Sequence, residues 1–361
     1  MVRAMLLREV AGRLEEVDLD LAPTAPDQVR VKLAASGVCH SDLSLRSGAM
    51  PYPTPAVLGH EGAGIVTDVG GDVTHVAVGD NVVVAWNQPC RDCFFCLGGE
   101  VHLCERAMGD AYGSPFGTVD GQAVRGVLGA GTFAQETLVL GRAVVKVDPA
   151  LPLEHAALLG CSVTTGVGAV LNTAGVRHGQ TVAVIGCGGV GLSAVQGARL
   201  AGASRVFAVD LVEDKLQLAK SLGATDIVNA SQVDTVATIL EATGYRGVDV
   251  AFEVLGIGAT VQQAYAATRR GGKTIIVGAG PTGQPVEFDL LQLFYGAKSI
   301  IGCVYGSSDP AVDFPKYAEY ALRGELDLGA LVTDRIALGE VDQAFARMER
   351  GEGVRSLVVF D

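Results

Sequence analysis

Residues 181–191 read TVAVIGCGGVG. Five strand-favouring residues run into a G-x-G-x-x-G, and a helical pattern opens near Val190. In that context a motif that is weak alone becomes a dinucleotide fingerprint. Gly186 suits the tight turn, Gly188 lets backbone approach a pyrophosphate, and Gly191 lets helix and strand pack closely. The helix start around Val190 offers unpaired N–H groups and positive dipole to phosphates.

Downstream, Asp210 closes RVFAVD, 24 residues after Gly186 (210 − 186). A carboxylate near that spacing binds the adenosine ribose hydroxyls and repels a 2′-phosphate, so NAD is favoured over NADP. Leu211 and Val212 supply no arginine to receive such a phosphate. Lys215 has two readings, a ribose contact or an exposed helix lysine.

Beyond about Leu153 apolar runs alternate with helical patterns. The runs are TVAVI (181–185), RVFAVD (205–210), DIV (226–228), VDVAFE (248–253), KTIIVG (273–278) and KSIIGC (298–303). Helices are predicted over 154–175, 213–223 and 260–272. Six strands with helices between them imply a doubly wound parallel sheet of order 3-2-1-4-5-6. Before residue 148 the pattern is short, strand-like and punctuated by Gly, Pro and Asp, which predicts a β-barrel or sandwich. The tail from about Val304 holds two helices and the strand RSLVVF, and is expected to rejoin the first domain. The expected domains are 1–162 completed by 304–361, and 163–303.

Half of the eight cysteines crowd one loop, PCRDCFFCLGGEVHLC (89–104). Cys90, Cys93, Cys96 and Cys104 form C-x2-C-x2-C-x7-C, which fits four thiolates around one tetrahedral Zn²⁺. An iron–sulfur cluster ranks second, since its common bacterial run ends with a three-residue gap and a proline. Disulfides rank third. A loop of this length without a core needs tying down, and a metal does that. Cys39 in SGVCHSD, His60 in GHEGAG and Cys161 in LLGCSVTTG come from separate segments. Two thiolates and an imidazole make a three-ligand zinc with an open position, the arrangement used in catalysis. Each cysteine taken alone reads as a small buried hydrophobe, the reading kept for Cys187 and Cys303.

Composition sets the limits. At 361 residues two domains are the default. Hydrophobic residues make up 49% and charged residues 19%, a globular balance. A net charge of −13 without a basic stripe argues against nucleic acid as a partner. Apolar runs are too short for a membrane span, the N-terminus lacks a signal-peptide pattern, and the thiols point to the reducing cytoplasm.

The chain resembles the zinc-dependent medium-chain alcohol dehydrogenases over nearly its whole length. The resemblance rests on GVCHSD (37–42), GHEGAGIVTDVG (59–70), the four-cysteine loop, GCSVTTG (160–166), GCGGVG with Asp210, and VRS near the end. It implies a GroES-like β domain plus a Rossmann domain, with NAD and two zinc ions per chain, one catalytic and one structural. It implies that Cys39, His60 and Cys161 hold the catalytic zinc, with Glu61 as a carboxylate beside it. Asp42 would orient His60, and Ser41 would take the alcohol proton. His40 and Arg355 would contact the pyrophosphate, and Thr165 the nicotinamide side. The implied substrate is a small alcohol or aldehyde, and the implied assembly a homodimer, with a tetramer as the alternative. Ser44 stands where many members carry the histidine at the outer end of the proton path. Trp86 occupies a pocket-lining position, and Met50 and Met108 fall where glutathione-adduct enzymes carry charged contacts. The competing activity is oxidation of a formaldehyde adduct of a thiol other than glutathione. A variant of the main reading keeps NAD(H) permanently bound.

Overall fold

Strands buried on both faces read as unbroken apolar runs, while strands with one wet face alternate. This chain holds both kinds, in separate units. The computed structural model describes residues 1–113 and 116–360, the side chains at 108, 111 and 112 excepted. Contacts divide it into Met1–Ser162 with the segment from Asp309 onward, and Val163–Ser308.

In the second unit Thr181–Ile185 lies between Arg205–Asp210 and Val248–Glu253. Asp226–Asn229 flanks one side, and Thr268–Ile276 then Ser299–Gly302 extend the other. All pairings are parallel, and the order is the 3-2-1-4-5-6 that alternation predicts. Ile185, Phe207, Val209, Ala251 and Ala264 pack together between sheet and helices. The helix predicted over 260–272 spans Gly258–Ala267 instead. Thr268 Oγ1 donates back to the Ala264 carbonyl at 2.7 Å, and Thr268 pairs with Val248 as the first residue of a strand. A register shift then absorbs the Arg-Arg-Gly-Gly run, whose glycines are poor helix formers, while Arg269 Nε reaches Asp249 at 2.7 Å.

In the first unit Val2–Leu7, Leu14–Leu21, Gly117–Val119, Gln122–Gly126 and Ala56–Val57 close a small barrel. A second sheet is organised around Gln28–Gly37. One edge of that strand pairs with Gly62–Val69. The other is shared: its first half pairs with Glu136–Leu140, its end with Arg355–Val359. The C-terminal strand thus completes a sheet begun at residue 28. Leu43, Tyr52, Leu58, Phe133 and Phe345 lie in one buried cluster, with Met50 and Trp86 half-buried against it.

The helix predicted over 154–175 is broken. Leu153–Ala157 tightens into a 3₁₀ turn at Leu158–Gly160, Cys161 leaves helical geometry at φ −145° and ψ −74°, and Ser162–Gly168 starts afresh. Gly160 runs so close to Val84 and Glu61 that a Cβ there would stand 3.0 and 3.3 Å from their backbone atoms. That close approach sets the break that presents Cys161. Among the described residues no single helix is long and apolar enough to cross a membrane.

Candidate metal centres and dinucleotide cradle

Three segments of the first unit meet at one buried point. Cys39 ends the turn after Gln28–Gly37 and caps the helix His40–Ser47. His60 precedes the strand Gly62–Val69, and Cys161 sits at the helix break. Their ligand atoms lie within 4.8 Å of one another, and all three side chains are buried. His60 Nδ1 faces Asp42 Oδ1 at 2.9 Å, which leaves Nε2 to point at a metal, as a ligating imidazole requires. The same fully buried carboxylate accepts from the Gly59 N–H at 3.1 Å and the Cys39 N–H at 3.1 Å. The Cys161 thiol, with Arg355 and His60, pulls Cys39 well below the usual thiol range; that hydrogen bond and burial push Cys161 well above it. Two cysteine sulfurs and a carboxylate-held imidazole, all buried and within 4.8 Å of one another, form a donor set that suits a dication. Ser41 Oγ lies 3.8 Å from Cys39 Sγ.

Glu61, fully buried, is pushed up by burial, an effect that Arg355 and the Ser162 N–H oppose. Its Oε1 accepts from Ser162 N at 2.7 Å, and its Oε2 stands 3.5 Å from Arg355 Nη1. Arg355 is only 4% exposed and donates from Nη1 to the Val38 carbonyl at 2.9 Å. Sequence reasoning missed these partners of Glu61. One signal was available: Gly37, where a Cβ would stand 2.1 Å from Glu61 Oε2.

The four-cysteine loop brings its thiols together as well, with no disulfide among them. Cys90 and Cys96 sulfurs are 3.9 Å apart, and Cys93 and Cys104 sulfurs 4.0 Å. Zinc–sulfur bonds of about 2.3 Å in a tetrahedron give sulfur separations of about 3.8 Å, so the thiols fit zinc and exclude direct S–S bonding. The Cys96 N–H lowers Cys93 to about 6, and burial raises Cys90 to about 12. Arg91 anchors the loop through a bidentate pair with Asp309, both contacts 2.6 Å.

In the second unit Gly186 has φ 103°, and Gly188 caps the helix Gly189–Leu200 that contains Val190. A Cβ on Gly191 would stand 1.8 Å from the Gly186 carbonyl oxygen. A Cβ on Gly188 would meet nothing within 4 Å, so open space lies above the helix N-terminus where a pyrophosphate fits. Asp210 Oδ2 accepts the Cys187 N–H at 2.7 Å, and Oδ1 accepts from Leu211 and Val212. Asp210 and the glycine turn are thereby tied together. Lys215 is half-buried on Glu213–Leu222, Thr165 half-buried on Ser162–Gly168, and His40 exposed at the start of its helix. The Met108 side chain lies outside the described residues.

A Cys₂His donor set and a glycine cradle on one chain define a class: zinc-binding oxidoreductases that work with a dinucleotide. Residues 25–149 match the alcohol dehydrogenase GroES-like domain, and residues 189–322 the zinc-binding dehydrogenase domain. The chain is 40% identical to an S-(hydroxymethyl)glutathione dehydrogenase of Synechocystis sp., with 99% of each chain covered. Its fold matches an alcohol dehydrogenase zinc-binding domain protein from Burkholderia ambifaria with a TM-score of 0.95 at 36% identity, covering 100% of this chain and 99% of the other. Benzyl alcohol dehydrogenase from Acinetobacter calcoaceticus matches with a TM-score of 0.92 at 34% identity and the same coverage. The protein belongs to the zinc-dependent medium-chain alcohol dehydrogenase family.

Proposed function

We propose that this enzyme interconverts an alcohol and its aldehyde or ketone, with Met1–Ser162 and the C-terminal tail carrying the zinc and Val163–Ser308 carrying NAD. The observation that carries this reading is the convergence of Cys39, His60 and Cys161 within 4.8 Å, with Asp42 fixing the imidazole. When bound, zinc supplies Lewis acidity that lowers an alcohol's pKa, and NAD supplies the hydride acceptor. Cys39, His60 and Cys161 would hold the first group, as three protein ligands. Ser41 takes the alcohol proton; it is half-buried in the first turn of the helix His40–Ser47. Ser44 stands where the usual outer histidine would be, so beyond Ser41 this chain supplies no imidazole at that position. Gly186, Gly188, Gly191 and Val190 would receive the pyrophosphate. Asp210 receives the adenosine ribose, beside Lys215, and Thr165 borders the nicotinamide. The four-cysteine loop holds the structural zinc.

Trp86 and Met50, packed on the same apolar cluster, favour an apolar substrate, which is consistent with a benzyl alcohol dehydrogenase among the structural relatives. A second reading, oxidation of a formaldehyde–thiol adduct, is favoured by the 40% identity to S-(hydroxymethyl)glutathione dehydrogenase. The test is a panel of primary, secondary, allylic and aromatic alcohols, plus formaldehyde with and without low-molecular-weight thiols, each with NAD and with NADP. Turnover of aromatic alcohols with NAD is expected. Turnover of formaldehyde alone of the panel, and only with a thiol, would replace the first reading by the second. We place the enzyme in the cytoplasm, where its eight unpaired thiols stay reduced.

A further inference from the structure

The three ligand segments share no sequence continuity, yet one buried ion pair touches all three. Arg355 Nη1 donates to the carbonyl of Val38, the residue before Cys39, at 2.9 Å. Glu61 is the residue after His60. Glu61 Oε1 accepts from the N–H of Ser162, the residue after Cys161, at 2.7 Å. The 3.5 Å contact between Arg355 Nη1 and Glu61 Oε2 closes the link. Both side chains are buried, at 4% and 0% exposure. Gly37 has no Cβ to collide with the carboxylate, and its N–H donates to the Glu61 carbonyl at 2.8 Å.

We infer that Glu61 and Arg355 are positioning residues: their ion pair staples the Cys39, His60 and Cys161 segments into the spacing a metal needs. The guanidinium also offsets the negative charge that two thiolates and a carboxylate concentrate away from water. This role differs from a pyrophosphate contact for Arg355 and from a direct metal approach by Glu61. It rests on the zinc-enzyme reading above, and it deepens that reading. Arg355→Met keeps the apolar stem and removes the charge and the donor to Val38. Arg355→Lys keeps the charge and loses the planar fork. Glu61→Gln keeps an acceptor for the Ser162 N–H and loses the ion pair.

The experiment follows zinc release from purified protein to a chelator, with the visible spectrum of cobalt-exchanged protein to tell the Cys₂His site from the Cys₄ site. The wild-type protein is expected to hold two zinc ions per chain; a wild-type chain whose Cys₂His site holds none refutes the zinc-enzyme reading itself. Arg355→Met is expected to release the Cys₂His metal about 10–100-fold faster while the Cys₄ metal stays. Arg355→Lys should recover part of that loss, and Glu61→Gln should move in the same direction by less. Wild-type release rates in Arg355→Met, with or without weaker NAD binding, overturn the inference. Where thermal melting shows that Arg355→Met has not folded, the two milder variants decide: wild-type release in both overturns it.

Discussion

Asp42 serves three donors with two oxygens, and each donor belongs to the metal site: the His60 ring, the Gly59 N–H and the Cys39 N–H. Asp42→Asn keeps one oxygen but turns an NH₂ toward a group that also donates. Either His60 or Cys39 then loses its acceptor in a dry site, which costs about 1–3 kcal/mol. The expected outcome is about 10–100-fold weaker zinc retention and a matching loss of turnover, read by metal content after dialysis. Unchanged zinc content would show that His60 is oriented by something else. Asp42 was legible in the sequence only through the resemblance carried by GVCHSD (37–42). The Arg355 contacts were not, because residues separated by 317 positions leave no trace in local spacing. Only a fold that returns the C-terminal strand to Gln28–Gly37 brings them together.

Among the elements, the cysteine loop is the one least able to hold itself. Its helix Phe94–Leu97 buries none of its residues, and Phe94 and Leu97 are 76% and 75% exposed. Arg91–Asp309, Arg106–Asp92 and the Asn87 Nδ2 donation to the His102 carbonyl secure single points, and the grouping of the four cysteines depends on sulfur. Stripping the structural metal is therefore expected to raise amide exchange across residues 90–104, while Thr181–Ile185 keeps its protection. Hydrogen exchange before and after chelation reads this directly, and an unchanged loop would mean that backbone contacts suffice. The cysteine spacing announced this loop, as the apolar runs announced the parallel sheet. The broken helix at Cys161 was not announced. Its residues carry a continuous helical pattern, and the break comes from the close approach of Gly160 to Val84 and Glu61, strands apart in sequence. The helix end at Ala267 was missed for a similar reason: strand pairing of Thr268 overrides the apparent glycine stop at 271.

For the whole molecule, the exposed apolar side chains concentrate beside an open sheet edge. Leu290, Leu291, Phe294 and Tyr295 are each more than 60% exposed on Leu290–Gly296, next to the edge strand Ser299–Gly302. An open strand edge beside such a patch favours pairing with another copy, and we propose a homodimer formed there. Light scattering is expected to give twice the 37.2 kDa chain mass, and Leu291→Glu with Phe294→Glu to halve it. A dimer that survives both changes would place the interface elsewhere.

The strand Arg355–Val359 carries one more consequence, for synthesis. Arg355 is made 317 residues after Val38, a delay of roughly a quarter of a minute to a minute at ribosomal speeds of about 5–20 residues per second. Until Arg355 emerges, Cys39, His60 and Cys161 lack their guanidinium neighbour, and the sheet that frames them has an open edge. A metal caught by the nascent chain before then is held without its staple, and the nucleotide-binding unit, whose strands are contiguous, is free to settle first.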